Sequence, residues 1–232
     1  MLHGDSRPDQ LRAVLFDMDG TLVDSEGHWE RAMFDLAAEY ERTLPPDILT
    51  AVTGTSVPDT VQLLTERLLP GGDPVAVQTR LLELTATRLA EGVLWQPGAE
   101  ELLEAVRAAG LATALVTNSP RSIVQSSLPL LGVDRFDVTV CGDELPRQKP
   151  DPLPYLEAMN RLGVTAAECL AIEDSPSGVQ AAIDAGVPVL VVPSSAGAIV
   201  PEGPGRIFAA SLLEATVEEL RHLHAEFRRR HA

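Results

Sequence analysis

Ala13-Val14-Leu15-Phe16-Asp17-Met18-Asp19-Gly20-Thr21-Leu22 is the stretch whose reading decides the fold. An apolar run rich in strand formers stops at two carboxylates one residue apart, followed at once by a glycine and a threonine. The pattern predicts a strand that delivers charge to a loop. Asp17 and Asp19 would repel each other unless a proton or a cation lies between them, so the pair invites a metal. Gly20 permits a tight turn, which would bring main-chain N–H groups towards a bound anion and makes Gly20 a candidate phosphate-binding position.

Downstream of this stretch the pattern changes twice. From Asp24 to about Trp95 the periodicity is helical, interrupted by Leu44-Pro45-Pro46, Thr53-Gly54-Thr55 and Pro70-Gly71-Gly72. About four short-looped helices are expected there, an inserted helical bundle over residues 24–96. Asp24-Ser25 reads as a helix cap, and the Trp29, Met33 and Leu36 stripe reads as the bundle's core. His28 is expected to be an ordinary surface or core histidine, with a place facing substrate as the alternative. Residues 1–23 and 97–232 form the other unit. From Pro97 onward, helices and apolar strands alternate, with strands over Ala112–Thr117, Val138–Cys141, Cys169–Ile172 and Val187–Val192 and a charged helix over Leu212–Arg230. Pro193–Gly205 reads as a loop. Such alternation implies a parallel sheet covered on both faces, an α/β core.

In sheets of this kind, ligands sit outside the carboxyl ends of the strands. The residues expected at those ends are Asp17 and Asp19, then Thr117-Asn118-Ser119, then Glu173-Asp174, with Lys149 on a loop before a helix. All but one of the 18 basic residues are Arg, and the exception is Lys149. A chain that writes Arg elsewhere uses a compact ammonium here. Carboxylates without nearby His or Cys suit Mg²⁺ rather than Zn²⁺. Thr117, Asn118, Lys149 and the loop N–H groups supply donors for an anion. Phosphoryl transfer needs this set, because its transition state is stabilised mainly by positioning and electrostatics. Ser119 is expected to cap the following helix, and Ser175 the one after Asp174.

The motifs F-D-M-D-G-T, T-N-S, Lys149-Pro150 and E-D-S, in that order, resemble those of the haloacid dehalogenase superfamily, and the helical insert resembles the first cap type of its β-phosphoglucomutase-like branch. The resemblance implies a Rossmann-like core with a mobile cap. It implies that Asp17 is the nucleophile forming an aspartyl-phosphate and Asp19 the acid/base. It also implies that Mg²⁺ is held by Asp17, the Asp19 carbonyl and Asp174, with Glu173 either a further ligand or a group behind the ligands. Gly20, Thr117, Asn118 and Lys149 would grip the phosphoryl group. The dehalogenases of the family lack the second acid, so Asp19 argues against dehalogenation.

The expected activity is Mg²⁺-dependent hydrolysis of a small phosphomonoester, a sugar phosphate or similar metabolite. Two alternatives stand beside it. One is a sugar phosphate mutase, weakened because Gly54-Thr55-Ser56-Val57-Pro58-Asp59 lacks the basic residue that would hold a second phosphate. The other is a non-enzymatic phospho-acceptor module, against which Asp19 and the insert count. The formal charge of −16 argues against nucleic-acid or anionic-membrane partners. No apolar run approaches a membrane span and the N-terminal residues carry no apolar signal segment, so a cytoplasmic enzyme is expected, a monomer with a dimer as the alternative. Cys141 and Cys169 are expected to be buried, reduced thiols.

Overall fold

The run Ala13–Phe16 forms strand β1, buried along its whole length because both faces of the sheet are covered. The computed structural model describes residues 10–52, 55–192 and 199–231. The N-terminal residues 1–9, Thr53-Gly54 in the predicted interruption and residues 193–198 of the predicted loop lie outside them. β1 is flanked in parallel by β4 (Ala112–Val116) and β6 (Cys169–Glu173), with Ala13 opposite both Ala112 and Cys169. Adding β5 (Val138–Val140), β7 (Val189–Val191) and β8 (Arg206–Phe208) gives one parallel sheet in the order β5-β4-β1-β6-β7-β8. The chain winds outward from β1 first on one side and then on the other. The strand order therefore reverses beside β1, and its carboxyl end opens onto the crevice where ligands bind in such sheets.

Alternation along β1 divides the core. Val14 and Phe16 face a cluster with Leu102, Leu103 and Val106 of α5 (Ala99–Ala108), Ile123 and Val124 of α6 (Arg121–Leu131) and Leu220 of α9 (Val217–His231). Ala13 and Leu15 face Tyr155, Ala158 and Met159 of α7 (Leu153–Leu162) and Val179, Ala181 and Ala182 of α8 (Pro176–Asp184). Each fully buried large apolar side chain in these layers contributes about 1.5–3 kcal/mol relative to exposure, and this holds β1 rigid beneath the site.

Between β1 and α5 lie α1 (Glu26–Glu39), α2 (Pro46–Val52), α3 (Val57–Arg67) and α4 (Pro74–Ala90), which pack around Ala32, Met33, Leu36, Val61, Leu64, Val77 and Leu81. Ser56 and Asp73 cap α3 and α4 by accepting from the main-chain N–H groups of Asp59 and Val75. The last turns of α4 belong elsewhere: Leu89, with Val93 just beyond the helix, is buried in the cluster of α5 and α6, and Leu82 and Ala86 pack against it.

Four local expectations are corrected. Ser25 precedes α1 but makes no side-chain cap; its hydroxyl turns towards Asp19 instead. Val23–Asp24 (β2) pairs antiparallel with Leu94–Trp95 (β3), a two-residue ribbon too short to show any period in the sequence. The segment read as loop through Gly205 leads straight into edge strand β8, equally short. The terminal helix starts at Val217 rather than Leu212, where Thr216 accepts from the Glu219 N–H at 3.2 Å. Cys141 and Cys169 are both free and buried, as expected. No helix among the described residues is long and apolar enough to cross a membrane.

Candidate active site

β1 ends by placing Asp17 one residue past its last apolar position, where the Asp17 N–H still donates to the Ile172 carbonyl at 3.0 Å. The chain then folds back on itself. Leu22 and Val23 donate to the Met18 carbonyl, while Gly20 donates to Val23 O at 2.9 Å. Gly20 adopts φ 82°, a left-handed conformation that strains residues with a Cβ. Its N–H is engaged inside the turn, so Gly20 shapes the loop at the end of β1.

Lys149 crosses to β1 from the loop before α7. Its buried ammonium donates to Asp17 Oδ1 at 2.6 Å, Glu173 Oε1 at 2.6 Å and the Val116 carbonyl at 2.7 Å. These use all three of its protons. The two amide ends of Asn118 are spent on the main chain of the same residue: Oδ1 accepts from the Lys149 N–H at 2.9 Å and Nδ2 donates to the Lys149 carbonyl at 3.0 Å. Asn118 therefore fastens the Lys149 backbone.

Asp19 lies across the turn and collects hydroxyls. Ser25 Oγ donates to its Oδ1 at 2.6 Å, Ser119 Oγ to its Oδ2 at 2.6 Å, and Thr117 Oγ1 to its Oδ2 at 3.3 Å. Ser119, read from the sequence as a helix cap, faces this carboxylate instead. The first N–H of α6, from Arg121, is taken by Asp143 Oδ1 at 2.9 Å. Neither Ser25 nor Ser119 carried a sequence signal separating the two roles, since Ser before a helix satisfies the capping pattern in both.

Asp17, Glu173 and Asp174 each offer a carboxylate oxygen within 4.8 Å of the others, all buried. Thr21 Oγ1 approaches Asp174 Oδ1 at 3.4 Å. Glu173 is fully buried: Oε1 accepts from Tyr155 OH at 2.7 Å as well as from Lys149, and Oε2 accepts from Ser175 Oγ at 3.2 Å. Ser175 also caps α8 as expected, accepting from the Gly178 N–H at 3.1 Å. Tyr155 was not singled out in the sequence. Its place six residues after Lys149, on the helix that Lys149 leads into, is the one signal that pointed to it.

The electrostatics of this cluster are unbalanced. Burial, reinforced by Glu173, pushes the Asp17 carboxyl well above its ordinary pKa, and Asp174 and Asp19 add to this against the opposing pull of Lys149. Burial pulls the Lys149 ammonium down, but Asp17 and Glu173 more than offset it and leave its pKa raised. Three buried carboxylates thus face one buried ammonium. The donor set is hard oxygen only and its charge is in excess, which fits a divalent cation of the Mg²⁺ type.

Packing enforces the arrangement from below. A Cβ on Gly178 would stand 1.9 Å from Glu173 Oε1, so α8 approaches the carboxylate more closely than any side chain permits. Gly178→Ala is expected to displace Glu173, cost about 1–3 kcal/mol of stability by overpacking and lower turnover. Urea unfolding alongside aryl phosphate hydrolysis checks both effects.

The family model for haloacid dehalogenase-like hydrolases matches residues 11–186. The chain is 35% identical over 188 residues to phosphoglycolate phosphatase of Xylella fastidiosa, covering 78% of this chain and 79% of that protein. It is 30% identical over 226 residues to hexitol phosphatase B of Escherichia coli O157:H7, covering 93% and 99%. The crystal structure of CbbY from Rhodobacter sphaeroides in complex with phosphate superposes with a TM-score of 0.80 at 24% identity, covering 90% of this chain and 99% of that one, which shows a shared fold.

Proposed function

Because this chain belongs to the haloacid dehalogenase-like hydrolases, we propose that it is a Mg²⁺-dependent phosphatase that hydrolyses a small phosphorylated metabolite through an aspartyl-phosphate on Asp17. The observation that carries this reading is the juxtaposition at the end of β1: a buried carboxylate held by Lys149 at 2.6 Å beside two further carboxylates. Relatives named as phosphoglycolate and hexitol phosphatases support a small phosphorylated acid or polyol as substrate.

In the first step, an Asp17 oxygen forms a bond to phosphorus as the ester P–O bond breaks, and Asp19 gives its proton to the departing oxygen. In the second, Asp19 takes a proton from water, whose oxygen attacks phosphorus and returns Asp17 to its carboxylate. The hydroxyls of Ser25, Ser119 and Thr117 hold Asp19 across the turn from Asp17 until substrate enters. Lys149 fixes the attacking carboxylate and, with the Thr117 hydroxyl, offsets phosphoryl charge. Asp17, the Asp19 carbonyl and Asp174 would hold Mg²⁺, which when bound supplies positive charge against the repulsion between Asp17 and the phosphoryl oxygens. Glu173 serves this reading mainly through Lys149.

We assign residues 24–96 to a cap and residues 1–23 and 97–232 to the catalytic core. The β2–β3 ribbon marks the crossing between them, and the separate cluster of α1–α4 supports the division. Cap closure would exclude water and select the leaving group.

The test is a panel of phosphorylated metabolites, including phosphoglycolate, hexitol phosphates and glucose 1-phosphate with a bisphosphate activator, assayed with Mg²⁺ and with EDTA. Release of inorganic phosphate that stops with EDTA and resumes with excess Mg²⁺ is expected. Conversion of glucose 1-phosphate to glucose 6-phosphate without free phosphate, or release indifferent to EDTA, would contradict the reading.

A further inference from the structure

Glu173 Oε1 receives two donors, Lys149 Nζ at 2.6 Å and Tyr155 OH at 2.7 Å, and the Lys149 ammonium also stands 5.3 Å from the centroid of the Tyr155 ring. Tyr155 is fully buried in the layer between the sheet and α7 and α8. Packing alone would be met by a phenyl ring in the same space. A hydroxyl in such a layer costs free energy unless it finds a partner, and this one finds the oxygen that holds Lys149. The phenol O–H donates to that oxygen at 2.7 Å.

We propose that Tyr155 is a positioning residue of the hydrolysis: its hydroxyl pins Glu173 so that one carboxylate oxygen holds Lys149 against Asp17. Glu173 faces a conflict that the hydroxyl resolves. Its carboxylate can turn towards the cation site, where it adds to the excess of negative charge, or towards Lys149. Tyr155 OH and Ser175 Oγ engage the two oxygens from opposite ends and leave one orientation satisfied. The ring adds a second hold on the ammonium through its face. Asp17 is thereby presented to phosphorus by a chain of contacts that starts in α7.

This inference rests on the phosphatase reading, and its test separates the two. Tyr155→Phe keeps the ring and removes only the hydroxyl. Assayed well below its unfolding temperature with a generic aryl phosphate and Mg²⁺, it is expected to lose roughly 10–100-fold in kcat with KM nearly unchanged, the range found when groups behind metal-site or catalytic ligands are removed. In a Glu173→Gln background the same substitution is expected to cost less than about twofold, because the hydroxyl acts through that carboxylate. Met159→Ala, one turn along α7 in the same layer, is expected to lower stability and leave kcat in place.

A readout independent of turnover is available because Lys149 is the chain's sole lysine. With ¹⁵N-lysine labelling, the side chain gives a single ammonium signal, expected to shift or broaden in Tyr155→Phe. Wild-type protein inactive on every phosphomonoester would overturn the phosphatase reading, while the lysine signal would still test the contact. Wild-type kcat and an unchanged signal in Tyr155→Phe, an equal kcat loss in Met159→Ala, or full additivity with Glu173→Gln would overturn the role of Tyr155.

Discussion

Asp17→Asn is expected to lower turnover of any phosphomonoester by about four orders of magnitude or more, the scale on which enzymes lose rate when a nucleophile is removed. The same substitution is expected not to weaken the fold in metal-free buffer. Burial and the surrounding carboxylates raise the Asp17 pKa, so its ionised form is disfavoured by folding. A raised carboxyl pKa means the native state holds the proton longer than the unfolded chain. Stability therefore falls as pH rises from the unfolded value near 4 through the folded one. At neutral pH the neutral amide removes that penalty, while Lys149 retains Glu173 and the Val116 carbonyl as acceptors. Thermal unfolding in EDTA should show Asp17→Asn at or above the wild-type midpoint, and a phosphate release assay should show it inactive. Loss of both would mean that Asp17 is a structural acid.

Lys149→Met is expected to damage both properties. It leaves Asp17 and Glu173 buried without their shared cation, and breaking a buried pair in this way costs about 3–5 kcal/mol. The expected loss of kcat is about a thousandfold, since Asp17 is no longer aimed and phosphoryl charge is less offset. The pH dependence has a definite sign. Acidification favours the protonated form of Asp17, whose pKa burial and the neighbouring carboxylates raise, and that form no longer needs the ammonium, so the stability difference from wild type should be smaller in mildly acidic than in neutral buffer. Urea unfolding at the two pH values measures this. A difference that widens on acidification would contradict the role given to the pair.

The α/β architecture was legible because β1, β4 and β6 are almost wholly buried and read as apolar runs, interrupted only by Thr113, that end in polar residues. The same ends announced Asp17, Thr117 and Asp174, and the sole lysine announced Lys149. Illegible were the features with no local period. The ribbon of Val23–Asp24 with Leu94–Trp95 is made of two residues a side, and its partners are brought together only by the folding of the α1–α4 insert between them.

Side-chain direction was also out of reach. Ser25 and Ser119 satisfy the capping pattern, and only the meeting of the β2 end with the β4 loop brings both hydroxyls to Asp19. Nor could the sequence show that the Gly20 N–H donates to Val23 or that the Asn118 amide bonds both main-chain groups of Lys149. Sequence shows which donors exist; the fold determines which remain uncommitted.

The central claim is covalent: Asp17 itself receives the phosphoryl group. An aryl phosphate, whose leaving group departs without help from an acid, should phosphorylate Asp19→Asn faster than that variant can hydrolyse the product. Rapid acid quench of this reaction in Mg²⁺, followed by peptide mass mapping, measures the claim directly. A single phosphoryl group on the peptide that contains Asp17, absent from Asp17→Asn treated alike, is the predicted result. Phosphate release with no covalent adduct at any time, or an adduct on another residue, would contradict it.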